Sequence, residues 1–155
     1  MPSTKPRPAS DIASLYDRDF YAWTQRAAER LREGKLDEQD IPPLAAEIED
    51  MGKRDLRELN SRMQVLLMHL LKWMLQPEGR SASWRSTIVT QRIEIEAVLR
   101  HSPSLRPTLT GELPGNYRRA IQRALPETGL PRERFPQECP FRLQQILDDN
   151  FLPEP

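Results

Sequence analysis

The sequence predicts an all-α fold, a single compact, bundle-like helical domain with one long central helix, and three observations carry that prediction. The chain has 15 prolines, yet none lies between residues 44 and 76 or between 78 and 102, so two long segments are free to be helical. Within them apolar residues recur at spacings of three and four, the repeat of a helix with one buried face. Nowhere does a pair of alternating runs flank a hairpin turn, so no strand pairing is required.

Residues 1–10 hold three prolines and no large apolar residue after Met1, which predicts a loose N-terminal arm; residues 11–155 are expected to form the single α-helical domain. The first helix is expected to start at Asp17 or Asp19, whose carboxylates can cap the free N–H groups of a first turn. Phe20, Trp23, Thr24, Ala27 and Leu31 then mark its apolar face, and Gly34 supplies the left-handed residue that ends it. Leu36 and Ile41 are expected to anchor the connection that follows. Asp40 before Ile41-Pro42-Pro43 reads as a second helix start, because the first turn has no use for the N–H that proline lacks.

From Leu44 to Gln76 the segment reads as one long helix or as two hinged near its single glycine, Gly52. Leu44, Ile48 and Met51 form a narrow stripe among charged residues, whereas nearly every position from Val65 to Leu75 is apolar. A helix apolar all round is buried all round, so the 63–76 segment is expected at the centre of the core. The segment from Trp84 to Arg100 carries two signals. Thr87-Ile88-Val89 and the alternation Arg92 to Glu96 favour a strand, but Trp84, Ile88, Ile95 and Leu99 share a helical face and the run is long for a strand. Helix is the favoured reading, with Ser81 or Ser83 as its cap. Pro107, Gly111 and Pro114 predict only short structure before residue 114, then a helix from Pro114 that closes between Pro126 and Gly129. A last helix is expected from Pro140, with Phe151-Leu152 folded back on it.

The chain of 155 residues is 37% apolar and 30% charged, and its 23 basic and 23 acidic side chains balance. A chain of this length buries roughly 70% of its unfolded surface and needs neither disulfide nor metal to fold. The lone Cys139 rules out an internal disulfide framework and fits a reducing compartment. The most apolar run, Val65 to Leu75, is interrupted by His69 and Lys72 and is too short to span a bilayer; with no secretory pattern at the start, a cytoplasmic location with no membrane contact is expected.

Candidate functional residues fall into three groups. His69 lies in the most apolar stretch, with Trp73 one turn on; with Trp84, Arg85 and Arg92 it makes a candidate pocket offering an acid or base, aromatic walls and an anion anchor near a helix start. The plainer reading is a core histidine bonded to a carbonyl, a core tryptophan and arginines paired with the acidic helix. Glu47 and Asp50 share a face and could hold a hard cation or act as an acid and base pair, although Lys53, Arg54 and Arg57 lie near enough to make this a solvated face. On a straight helix Glu47 and His69 would be about 33 Å apart, beyond any shared chemistry. Residues 80–123 carry eight arginines, no lysine and three acids, densest at Tyr117, Arg118, Arg119 and Arg123, a basic patch of the kind nucleic acid binds but without an accompanying recognition motif. No HExxH, CxxC, GxGxxG or GxxxxGK pattern occurs, so no metal or cofactor is expected, and Cys139 beside Pro140 reads as a packed thiol.

The blocks Tyr16-Asp17-Arg18-Asp19-Phe20-Tyr21-Ala22-Trp23, Glu47-Ile48-Glu49-Asp50-Met51-Gly52, His69-Leu70-Leu71-Lys72-Trp73, Ser83-Trp84, Ser102-Pro103-Ser104-Leu105 and Cys139-Pro140 occur in that order. Taken together, they resemble the bacterial domain-of-unknown-function family twenty-nine. The resemblance implies a small all-helical bacterial protein and brings no reaction, ligand or catalytic residue. The leading functional expectation is therefore a non-enzymatic binding or protein-interaction module, with a protein partner or self-association. The alternative is a small enzyme or ligand-binding protein using the His69, Trp73, Trp84, Arg85 and Arg92 pocket, its small-molecule ligand unidentified. Nucleic-acid binding through residues 80–123 comes third.

Overall fold

A computed structural model describes residues 11–155; the expected arm, residues 1–10, lies outside the described residues. The described residues contain no strand. Their α-helices are α1 (Asp11–Tyr16), α2 (Phe20–Glu33), α3 (Ile41–Leu75), α4 (Ala82–His101), α5 (Thr108–Thr128) and α6 (Leu143–Leu147). None is long and apolar enough to cross a membrane. The chain divides into two compact units that meet within α3, one ending at Lys53 and one starting at Arg54.

In the first unit, α2 starts and stops where the sequence places its caps. The Asp19 carboxylate accepts a 3.0 Å hydrogen bond from the Ala22 N–H, filling one donor of the open first turn. Gly34, at φ 66°, turns the chain so that its N–H and that of Lys35 bond back to the Leu31 and Arg30 carbonyls. The preceding helix α1 is not marked in the sequence. Its six residues are too few for a recognisable periodicity, and it is held by tertiary packing of Ile12 against Trp23 and Ala27. Those three side chains are the buried core of this unit, with Leu15, Tyr16 and Leu44 packed against them.

A core this small corrects three expectations about which apolar residues are covered. Phe20 and Leu31 of the expected α2 face remain exposed, because α1 spans less than two turns and covers only the strip around Trp23. Ile41 is exposed and anchors nothing, while Leu36 is half-buried. From the Leu44, Ile48 and Met51 stripe, Leu44 alone is packed into this core.

α3 is helical at every position from Ile41, Gly52 included, so the one-helix reading holds. In the second unit its later turns form the core, with Leu59, Met63, Leu66, Leu67, Leu70 and Leu71 fully enclosed, while Val65, His69 and Trp73 on one side are half-buried. α4 is a helix, not a strand. Its Ser81 hydroxyl caps the Trp84 N–H at 3.2 Å, and Ile88, Ile95 and Leu99 are buried. The strand-like alternation of Ile93 and Ile95 comes from opposite sides of the helix, with Ile95 in the core and Ile93 in water.

α5 corrects the expectation that little would form before Pro114. It starts six residues earlier, at Thr108, and carries both Pro114 and Pro126 inside it. The lost backbone bond at Pro114 is offset by burial of Leu109 one turn and more upstream, since packing outweighs local propensity. Gly129, at φ 66°, closes it within the expected range. Ser102 does not cap the turn that follows α4; its hydroxyl instead donates to the Asp55 carboxylate of α3. α6 is a short helix around buried Ile146, and Phe151 folds back edge-on against Phe141 with ring centres 5.8 Å apart.

Candidate functional site

The contacts of His69, Trp73, Trp84 and Arg92 go to different neighbours. His69 is half-buried, and its Nδ1 lies 2.9 Å from the Val65 carbonyl one turn back on α3. Burial, helped by the nearby Lys72 charge, holds its imidazole pKa below the ordinary value, while the Val65 carbonyl and Glu127 oppose that shift. The unfolded chain therefore takes up the proton first as pH falls through about 6.5, and the fold loses stability from there down to the depressed folded value. Above that window the group contributes no pH dependence. In His69→Gln the fall in melting temperature between about pH 7.5 and about pH 5.5 is expected to shrink. A melting profile as steep in the variant as in the wild type would contradict this.

Lys72, three residues on, is close enough for its charge to act on His69. Its side chain is 8% exposed; Nζ donates to Glu127 Oε2 at 2.6 Å and sits 4.5 Å from the centre of the Trp84 ring. The buried cation is thus neutralised from α5 and faced by an aromatic ring from α4. Gly79 completes the corner, because a Cβ there would come within 2.8 Å of the Trp84 ring. Gln76 adds a hydrogen bond from its side chain to the Thr128 carbonyl at 3.2 Å. Trp84 is therefore a packing surface for Lys72 and Gly79. Trp73 is capped by Arg80, whose guanidinium lies 5.1 Å from the ring centre and whose Nε donates to the Trp73 carbonyl.

Arg92 is buried on α4, and all its hydrogen bonds go to the C-terminal tail. Nε donates to the Ile146 carbonyl at 2.8 Å, Nη2 to Phe151 at 2.8 Å and Nη1 to Asp149 at 3.4 Å. The sequence suggested pairing with acidic side chains; the fork takes backbone carbonyls instead, since α4 packs against the segment from Ile146 to Phe151. Arg85 is exposed on the first turn of α4.

Glu47 and Asp50 are each engaged by a neighbour. The Tyr16 hydroxyl donates to Glu47 Oε1 at 2.7 Å, and Lys53 pairs with Asp50 at 3.4 Å. Of the basic patch, Tyr117 is turned inward: it is buried, its hydroxyl donates to the Pro136 carbonyl at 2.7 Å, and burial pushes its pKa up to about 12. It offers no ring for stacking on a base. Cys139 is half-buried with its thiol directed to the Phe141 carbonyl, and burial raises its pKa, which disfavours the reactive thiolate.

A cleft of about 470 Å³ that the sequence reading did not single out opens between α3 and α5. Its lining includes Asn60 and Asn116, two members of a directed chain of amides that starts behind them at Gln64. Buried Gln64 donates to Asn116 at 3.0 Å, Asn116 to Asn60 at 2.8 Å, and Asn60 to the Glu112 carboxylate at 3.2 Å. Glu112, Gly115, Asn116 and Arg119 lie at i, i+3, i+4 and i+7 on α5, so one stripe of that helix forms the floor. The available signal was the pair Asn60 and Gln64, four apart on the otherwise apolar inner side of α3 beside Leu59 and Met63. Polar residues on a buried face require partners, but their partners lie more than fifty residues away.

A family model described as domain of unknown function DUF29 matches residues 15–152. No curated protein and no solved structure matches the chain.

Proposed function

The chain belongs to the DUF29 family, and on that premise we propose that it is a non-enzymatic protein-interaction module that pairs with a second copy of itself through the first turns of α3. The observation that carries this reading is a seam left in water. Ile41, Ile48 and Met51 are 52%, 59% and 62% exposed, and with Leu44 between them they are spaced three, four and three apart. That spacing is the seam of a two-helix coiled coil, in which apolar residues alternate at three and four to face a partner helix. Tyr21, Phe20 and Leu31 add exposed apolar surface in the same small unit. At roughly 25 cal/mol per Å² of apolar surface, residues half in water on this scale favour a covering partner.

A second copy is the occupant that the seam itself suits. Two such helices related by a two-fold axis and running antiparallel bring Ile41 opposite Met51 with the two Ile48 side chains between them, so one stripe serves both partners while Leu44 stays packed on its own unit's core. The test is molar mass by sedimentation equilibrium across two decades of concentration. Wild type is expected to shift from monomer to dimer, and Ile48→Glu combined with Met51→Glu to stay monomeric with its helical circular dichroism intact. Ile93→Glu, on the exposed side of α4, is expected to dimerise as wild type does. A wild-type monomer throughout the range, or a dimer that the α3 pair does not weaken, rejects the reading.

A further inference from the structure

The cleft between α3 and α5 has the layout of a site for a short zwitterionic peptide, and we propose that it binds one with its carboxylate at Arg119 and its amino end at Glu112. Both charges are on the floor stripe of α5. Glu112 and Arg119 are seven residues apart, about 10 Å along the axis at 1.5 Å per residue. An extended chain spans about 3.3 to 3.6 Å per residue, so three residues cover that distance. A single anion would satisfy one end and leave a carboxylate facing it at the other.

Between the two ends lie the carboxamides of Asn60 and Asn116, with Gln64 behind them. A primary amide has two N–H donors, and in the chain from Gln64 to Glu112 each amide spends one of them. Asn116 is buried, so its orientation is fixed by Gln64 on one side and Asn60 on the other. Asn60 is half-buried at the cleft edge and keeps one N–H beyond its bond to Glu112. Primary amides held at fixed angles are complementary to the C=O and N–H groups of a peptide backbone, and the lining is predominantly polar, as such a ligand requires. Arg118 and Arg119 are exposed, and neither enters an ion pair among the described residues, so their donors are available to a carboxylate.

Gly115 gives the site an entry point for a clean test. It sits in the floor between the charged ends, and a Cβ built there meets nothing within 4 Å, so a side chain at this position extends into the cleft without displacing the fold. The experiment uses the full chain, labelled with ¹⁵N, titrated with triglycine and followed by the side-chain amide signals of Asn60 and Asn116 and the backbone signal of Gly115. Saturable shifts confined to these signals are expected. N-acetyl-triglycine, which lacks the cationic end, and triglycinamide, which lacks the anionic end, are each expected to bind at least tenfold more weakly. Gly115→Met is expected to abolish the shifts while melting at or above the wild-type temperature, since it replaces an interior helical glycine, and Arg119→Gln to weaken binding without loss of fold. No shift with triglycine overturns the proposal. Inorganic phosphate moving the same signals as strongly as triglycine also overturns it, because the cleft would then be a simple anion site.

Discussion

Arg92→Met is expected to lower stability by about 3 kcal/mol and to loosen the C-terminal tail. The methionine keeps an apolar stem of similar length, so the loss comes from the guanidinium, which holds the carbonyls of Ile146, Asp149 and Phe151 together. Hydrogen bonds to a charged group contribute about 1.5 to 3 kcal/mol each, and the freed carbonyls recover part of that from water once the tail lifts. For a chain of this size the loss corresponds to a fall of roughly 10 °C in melting temperature. Hydrogen exchange is the more specific readout, with amides from Ile146 to Leu152 losing protection well before those of α3. Arg92→Lys retains the charge but has no fork, so it is expected to recover less than half of the loss. The tail would still be tethered through Arg80, whose Nη2 reaches the Pro153 carbonyl at 3.4 Å. Unchanged exchange in the tail of Arg92→Met would show that Arg92 is not what holds it.

Trp23→Ala is expected to cost about 3 to 5 kcal/mol and to unfold the first unit locally. Its core has three buried side chains, and Trp23 is the largest of them. The ring also organises its neighbours, with Tyr16 edge-on at 4.8 Å and Phe20 stacked at 5.5 Å, contacts that add to the area buried. With no comparable side chain to replace it, α1 and α2 are expected to lose amide protection while Leu66, Leu70 and Ile121 keep theirs. Trp23→Phe is expected to cost less, because it retains most of the ring and removes an indole N–H that is buried without an acceptor among the described residues. Wild-type protection of α2 in Trp23→Ala would contradict the assignment of this residue as the centre of that core.

The self-association reading and the peptide cleft make separate demands on the chain. The first uses Ile41 to Met51, and the second uses residues 60 to 119, so the Ile48→Glu/Met51→Glu variant and Gly115→Met each leave the other property in place.

Helix boundaries set by short-range chemistry were legible before any coordinate. Asp19, Gly34, Ser81 and Gly129 occupy their capping positions because a cap is a contact within about four residues, and its requirements are written in the local sequence. The burial of Leu66, Leu67, Leu70 and Leu71 was legible for a related reason: a helix this rich in apolar residues puts most of its surface in the core, although Val65 and His69 remain half-buried. The extent of the apolar stripe on α2 was not, because periodicity says which residues share a face and not whether anything covers it. Phe20 and Leu31 share that face with Trp23, yet both stand in water.

The candidate pocket shows the same division. His69, Trp73 and Trp84 were identified as residue types that can bind or catalyse, but their neighbours were decided by contacts between distant segments. Lys72 meets Glu127 across 55 residues, Arg92 meets Phe151 across 59 and Gln64 meets Asn116 across 52. The sequence by itself determined that the chain is helical, where α2, α3 and α4 begin and end, and which segment lies at the centre, because capping and periodicity act within a few residues. Only the tertiary structure decided which polar side chains are spent on holding the fold and which line an open cleft, because those pairings depend on how α3, α4 and α5 pack, and no local pattern encodes that.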